Sequence, residues 1–206
     1  MQLCTPPRRR SVPSVACTPS RTAGTQLVSF LCHPLAHPDH GTASLATGLA
    51  HPLGGLDHLL AMVAVGLFAA RQPGGARWML PACFVLAMLA GAGLSAAGIA
   101  LPAVETGIAA SVLVFGVLIA SLARLPLTAA LPLVAAFALF HGHAHHAEMG
   151  TGSALAYTAG FALATATLHL AGLGLAHLLP DTRAGRFALR VGGGAIAGAG
   201  VVLLGT

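Results

Sequence analysis

Lysine is absent from this chain of 206 residues, and its acids number only five: Asp39, Asp57, Glu105, Glu148 and Asp181. A Walker A loop needs a lysine, so the chain does not itself hydrolyse ATP through a P-loop. Charged residues make up 7% of the sequence, against about a quarter in a soluble domain. Hydrophobic residues reach 56% and mean hydropathy is +0.83, which places the chain in a lipid bilayer. Cysteine is scarce and badly placed for structure. Cys4, Cys17 and Cys32 precede the first long apolar run and Cys83 is alone inside one, so neither a disulfide framework nor a thiolate metal cage arises in the body of the chain. The net charge of +5 comes from arginine alone. Four arginines precede residue 22 and most of the rest lie between apolar runs, which excludes nucleic acid as the partner. What the chain has in quantity is histidine: eleven copies, more than twice the acids.

Six apolar segments, roughly 43–70, 78–98, 102–123, 126–147, 152–179 and 186–205, each approach the ~20 residues that cross ~30 Å of hydrocarbon. The expected fold is therefore all-α: a polytopic membrane protein of six transmembrane helices. Connections holding Arg71 and Arg77, Arg124, and Arg183 with Arg186 alternate with connections that hold no arginine. The positive-inside rule puts the arginine-bearing connections in the cytoplasm and both ends of the mature chain outside. Gly194 and Gly198 stand at GxxxG spacing, which lets helices approach closely in lipid. Residues 1–36 carry no acid, four arginines and a weak apolar core at Leu27–Cys32 before Pro34-Leu35-Ala36. They read as a leader, removed or dispensable, with the transmembrane domain at 37–206 and cleavage after Ala36 leaving His37 as the mature N-terminus. The cell inner membrane is the expected location. The arginine- and serine-rich leader also fits an organelle transit peptide.

Within the first segment, "HPLGGLDHLLAMVAVG" at 51–66 places two histidines and an aspartate beside a Pro-x-Gly-Gly break. Pro52 biases His51 away from helical geometry and Gly54-Gly55 weakens the helix again, so the first span is expected to break near Pro52–Gly55. A helix from Leu56 to Arg71 is only ~22 Å long, too short to cross alone. Broken backbone at membrane depth survives where protein or a polar cavity satisfies it, as in the half-helix ion sites of transporters. An unwound turn lets His51, Asp57 and His58 converge. Imidazole plus carboxylate suits divalent Ni, Co or Zn, and the cation compensates the buried acid, which otherwise costs ~2.5–3.5 kcal/mol. Asp57 alone also fits a structural hydrogen bond or a helix cap, readings that the two adjacent histidines weaken.

A second cluster, "FHGHAHHAEM" at 140–149, sets His141, His145 and Glu148 at i, i+4 and i+7 on one helical stripe, with His143 and His146 elsewhere on the wheel. Counting ~1.5 Å per residue, Asp57 and His58 lie ~20 Å above the inner edge and His141 ~22 Å, so two separate segments bring ligands to one depth. Glu105, in the outermost turn of the third span, and His169, ~16 Å up the fifth, extend this column. His37 and His40 in "HPDHG" would form a metal-scavenging tip outside, and Met62, one turn below His58, reads as packing.

The elements "HPLGGLDHLLAMVAVGLFAA", "VETGIAASVLVFG", "FHGHAHHAE" and "GFALATATLHLAGLGLA", in that order, resemble the HupE/UreJ family of hydrogenase- and urease-accessory nickel permeases. The resemblance covers about residues 37–206, and its H-P-x-x-G-x-D-H element is specific. It implies a six-span secondary permease, not an enzyme and without a cofactor of its own, that takes up Ni²⁺ or Co²⁺ and supplies nickel metalloenzyme maturation. It also implies a metal path through His51, Asp57, His58, His141, His145 and Glu148, to which the reading of the residues themselves adds His37, His40, Glu105, His143 and His169 as further path residues. The implied partners are the bilayer, a divalent transition-metal ion, cytoplasmic nickel chaperones and further copies of the chain. Two departures stand out: His146 occupies a position where the family pattern leads one to expect glycine, and the leader is not a clean bacterial signal peptide.

Two rival readings use the same ligands. An intramembrane zinc hydrolase would hold its metal with three of them and use Asp57 or Glu148 as base, although no HExxH occurs and the polar groups spread along a column. A static metal-binding or sensor protein would bind without flux.

Overall fold

The computed structural model describes residues 43–206, all of whose regular structure is helical. The leader expected at 1–36, and with it His37 and His40, lies outside the described residues. Seven helices follow in order: α1 (Leu45–Gly54), α2 (Leu56–Ala70), α3 (Ala76–Ala96), α4 (Val104–Ala120), α5 (Leu127–Ala147), α6 (Ala154–Leu178) and α7 (Arg183–Leu204). Three of their starts are marked by short polar side chains. Ser44, Ser153 and Thr182 each accept a hydrogen bond from a backbone N–H of the first turn of α1, α6 and α7, and Thr47 completes a reciprocal capping box with Ser44.

The expected break in the first span is present, as a corner of 88° between α1 and α2. It falls at the far end of the expected stretch Pro52–Gly55, and His51 keeps the helical geometry from which Pro52 is expected to bias it. Pro52 and His51 lie inside α1, and only Gly55 leaves helical geometry, at φ −107° and ψ 125°. Pro52 lacks the N–H that would bond the Gly48 carbonyl, but the helix lasts just two more residues, so little is lost before the chain turns.

Four helices, α3, α5, α6 and α7, are long and apolar enough to cross a bilayer, and the bent pair α1–α2 meets the same test only when joined. The sixth expected span is short. α4 has 17 residues, ~26 Å of helix against ~30 Å of hydrocarbon, because left-handed residues at Ala103 (φ 52°) and Leu122 (φ 55°) end it on both sides. Large apolar side chains such as Leu86, Leu163, Leu170, Phe187 and Val202 are exposed on the outside, as a lipid-facing surface requires. The chain is a multi-pass membrane protein.

α2 occupies the centre, packed against α6, α4 and α3, while α3 lies along α5 and α4 along α7. The α3–α5 approach rests on reciprocal glycines. A Cβ on Gly142 would run into the Met88 carbonyl oxygen, and one on Gly91 into the Leu139 carbonyl oxygen. The GxxxG pair does not act this way: Gly194 and Gly198 have nothing within 4 Å of a Cβ, and it is Gly193 and Gly200 that bring α7 against Ala120 and Leu113 of α4. They share the inner face because they are seven residues apart.

The two ends of the bundle differ. At the arginine end, buried Gln72 donates to the carbonyls of Phe68 and Ala123 and accepts from the Leu125 N–H, tying the α2–α3 and α4–α5 connections together. At the histidine end, Ser153 N–H donates to the Ala43 carbonyl at 3.0 Å and pins the start of α1 to the α5–α6 connection.

Candidate metal-binding site

The corner at Gly55 folds His51 of α1 back over His58 in the first turn of α2, with 6.2 Å between ring centroids. The last turns of α5 supply two more imidazoles. His145 lies 4.9 Å from His51 and 4.7 Å from His58, and His141 lies 5.0 Å from His58. His58 and His141, counted to similar heights along their separate segments, stand in direct ring contact. Glu148, the C-cap of α5, closes the side toward the α5–α6 connection with Oε2 at 3.2 Å from His51 Nε2. Five of the six residues of the expected principal path thus stand in one cluster by direct ring or charge contact. Asp57, the sixth, joins it through His58.

Asp57 Oδ1 accepts the backbone N–H of His58 at 2.7 Å and lies 2.9 Å from His58 Nδ1. Gly55 is what leaves room for this pair, since a Cβ there would come within 2.5 Å of Asp57 Oδ1 and 3.3 Å of His58 Nδ1. The expectation that His51, Asp57 and His58 converge as direct ligands is modified accordingly. Among the described residues no three His, Cys, Asp or Glu side chains are disposed to hold a metal ion as they stand. The rings pack edge to face, at 61° to 88° to one another, rather than aiming their nitrogens at a common centre.

The donors for such a centre are nevertheless kept back from other partners. His141 and His145 are fully buried and His58 nearly so. His58 Nε2, His141 Nδ1 and both ring nitrogens of His145 have no hydrogen-bond partner. Each such atom costs roughly 1–3 kcal/mol of lost solvation. Four together are an expense that packing alone does not explain and that a cation among them would offset.

His169 of α6 sits apart from the cluster. Phe84 of α3 stands between them, 5.6 Å from the His141 ring and 5.0 Å from the His169 ring. His169 is 1% exposed with neither ring nitrogen partnered. Glu105 is exposed in the first turn of α4. His143 and His146 turn the other way, toward α3: His143 Nε2 lies 3.1 Å from the Ile99 carbonyl and His146 Nδ1 3.2 Å from Ser95 Oγ. The structure therefore does not bring His143 to the cluster. Met62 is wholly buried packing.

Sequence reasoning missed Phe84 and three further neighbours of the cluster. Phe161 stacks on His145, Tyr157 meets His51 at 5.6 Å, and Ser111 Oγ lies 2.9 Å from His141 Nε2. Ser111 and Phe161 lie inside quoted family-like segments, but nothing in their spacing marks them out from packing.

The chain matches the HupE / UreJ protein family over residues 25–203, a match that begins ahead of residue 37. The chain belongs to the HupE/UreJ family. Protein HupE of Rhizobium leguminosarum bv. viciae is 46% identical over 195 residues, covering 94% of this chain and 92% of that one. No solved structure matches the chain. For this HupE/UreJ protein the cluster is accordingly built by residues inside the matched region, on three helices, α1, α2 and α5, that meet at the corner of the bent pair.

Proposed function

We propose that the chain is a secondary permease that admits Ni²⁺, with Co²⁺ as the alternative cargo, across the inner membrane into the cytoplasm. The observation that carries this reading is the cluster of His51, His58, His141 and His145 at a helix corner, with unpartnered buried nitrogens. Nitrogen donors with a nearby carboxylate suit a borderline-soft divalent ion. Family membership supports transport over hydrolysis, and the gradation from the outer Glu148 to the inner His169 supports a path over a closed site.

In this reading the bent α1–α2 pair and the short α4 each count as a span. That makes six, with arginines inside and the N-terminus outside. Glu148 and Glu105 lend negative potential to the mouth. His51, His145, His58 and His141 replace part of the ion's water shell, and the Asp57 charge, held on His58, stabilises the ion at membrane depth. The ion then passes Phe84 to His169. Inward movement down an inside-negative potential gains about 4.6 kcal/mol per 100 mV for two charges, so influx needs no ATP. On the inner side, nickel chaperones and nickel-enzyme maturation would keep the free ion low.

The test is uptake of radioactive Ni²⁺ into sealed proteoliposomes with an inside-negative potential, comparing the intact chain with Asp57→Asn and His58→Ala. Potential-dependent accumulation lost in both variants is the expected result. Tight binding with no lumenal nickel would overturn the permease in favour of a static site.

A further inference from the structure

We propose that Ser111 is a positioning residue for the metal path: it holds His141 as the Nε2–H tautomer and so presents Nδ1 to the ion, whereas Asp57 presents His58 through Nε2. The inference rests on the reading of His141 as a metal ligand and adds to it which ring atom binds and what decides it.

Ser111 lies in the middle of α4 and is completely buried. Its hydroxyl has a single proton and two contacts. Oγ is 2.6 Å from the Ile108 carbonyl oxygen and 2.9 Å from His141 Nε2. A carbonyl oxygen can only accept, so at 2.6 Å the hydroxyl proton must lie on that line. Oγ is then left with lone pairs toward His141, and Nε2 must be the donor. A neutral imidazole carries one N–H, so Nδ1 of His141 keeps its lone pair. That atom is buried with no hydrogen-bond partner. Donation to an oxygen on the far side both orients the ring and raises the basicity of the nitrogen that faces a metal.

The same argument gives the opposite answer at His58. Asp57 Oδ1 accepts from His58 Nδ1 at 2.9 Å, leaving Nε2 as the lone-pair atom, and Nε2 is likewise buried and unpartnered. The two rings meet edge to face at 5.0 Å and 88°. One is anchored by an acid on its own helix and the other by a hydroxyl delivered from α4. This gives the short fourth helix a defined place in the site.

The test measures equilibrium Ni²⁺ binding to the purified full chain in detergent for the wild type, Ser111→Ala, His141→Ala and the double variant. Alongside it, nitrogen-15 spectra of metal-free, histidine-labelled protein in lipid identify the His141 resonances by their loss in His141→Ala. The expected result is affinity about 10- to 100-fold weaker for Ser111→Ala, a double variant no weaker than His141→Ala, and a bare Nδ1 with protonated Nε2 in the wild type. Wild-type affinity in Ser111→Ala, additive losses, or a bare Nε2 would overturn the positioning role while leaving the permease reading standing, provided His141→Ala weakens binding. Unchanged affinity in His141→Ala would overturn His141 as a metal ligand, and the positioning role with it.

Discussion

The ring of His145 lies flat on that of Phe161, with 4.7 Å between centroids and 10° between planes. Neither nitrogen of His145 makes a hydrogen bond, so stacking and packing alone hold this imidazole in place. Its three neighbours are each anchored by a polar group: His51 by Glu148, His58 by Asp57 and His141 by Ser111. Phe161→Leu keeps apolar volume and removes the stack. Such a contact is worth ~0.5–1.5 kcal/mol, so the KM for Ni²⁺ uptake should rise about 2- to 10-fold at similar protein yield. An unchanged KM would show that His145 needs no stack to bind.

Gly55→Ala separates site geometry from stability. The backbone at φ −107°, ψ 125° suits alanine, so the fold tolerates the change. The new Cβ meets the movable Asp57 carboxylate instead, at 2.5 Å, and displaces it from His58. Uptake should fall about 10- to 100-fold, the usual cost of losing a group that orients a ligand, while the thermal unfolding midpoint in detergent stays near that of the wild type. A midpoint that drops together with uptake would assign Gly55 to folding alone.

Gly142→Ala behaves oppositely. Its Cβ would strike the Met88 main-chain carbonyl, which has no freedom to swing aside, and α3 must move off α5. Overpacking of this kind destabilises by about 1–3 kcal/mol. Because His141 is the adjacent residue, lower unfolding resistance and lower uptake are expected together, measured by thermal unfolding and flux on the same preparation.

Uptake should also depend on external pH. Only neutral imidazole offers a lone pair to a metal, so protons compete with the ion, and uptake falls as the external pH is lowered. Initial rates at pH 7.5 and pH 5.5 under a clamped potential read this directly. Equal rates would count against neutral histidines as the ion's ligands.

Composition and spacing by themselves determined that the chain is helical and lies in a membrane, that its first span is interrupted, and that His141, His145 and Glu148 share a stripe. These are local consequences: hydropathy selects the solvent, glycine and proline weaken a helix, and a 3.6-residue period fixes which side chains coincide. The same periodicity left His143 and His146 off the stripe, and the structure has them facing Ile99, in the connection after α3, and Ser95, in the last turn of α3. Tertiary structure decided the rest. Nothing local chooses Gly55 over Pro52 as the corner or turns it through 88°, because that angle is set by α1 and α2 both packing on α6. Ser111, Phe161 and Phe84 acquire their places only when α4, α6 and α3 close around α5 and the bent pair. A serine and two phenylalanines in apolar helices carry no mark of this in sequence, because what distinguishes them is which ring they touch across the bundle.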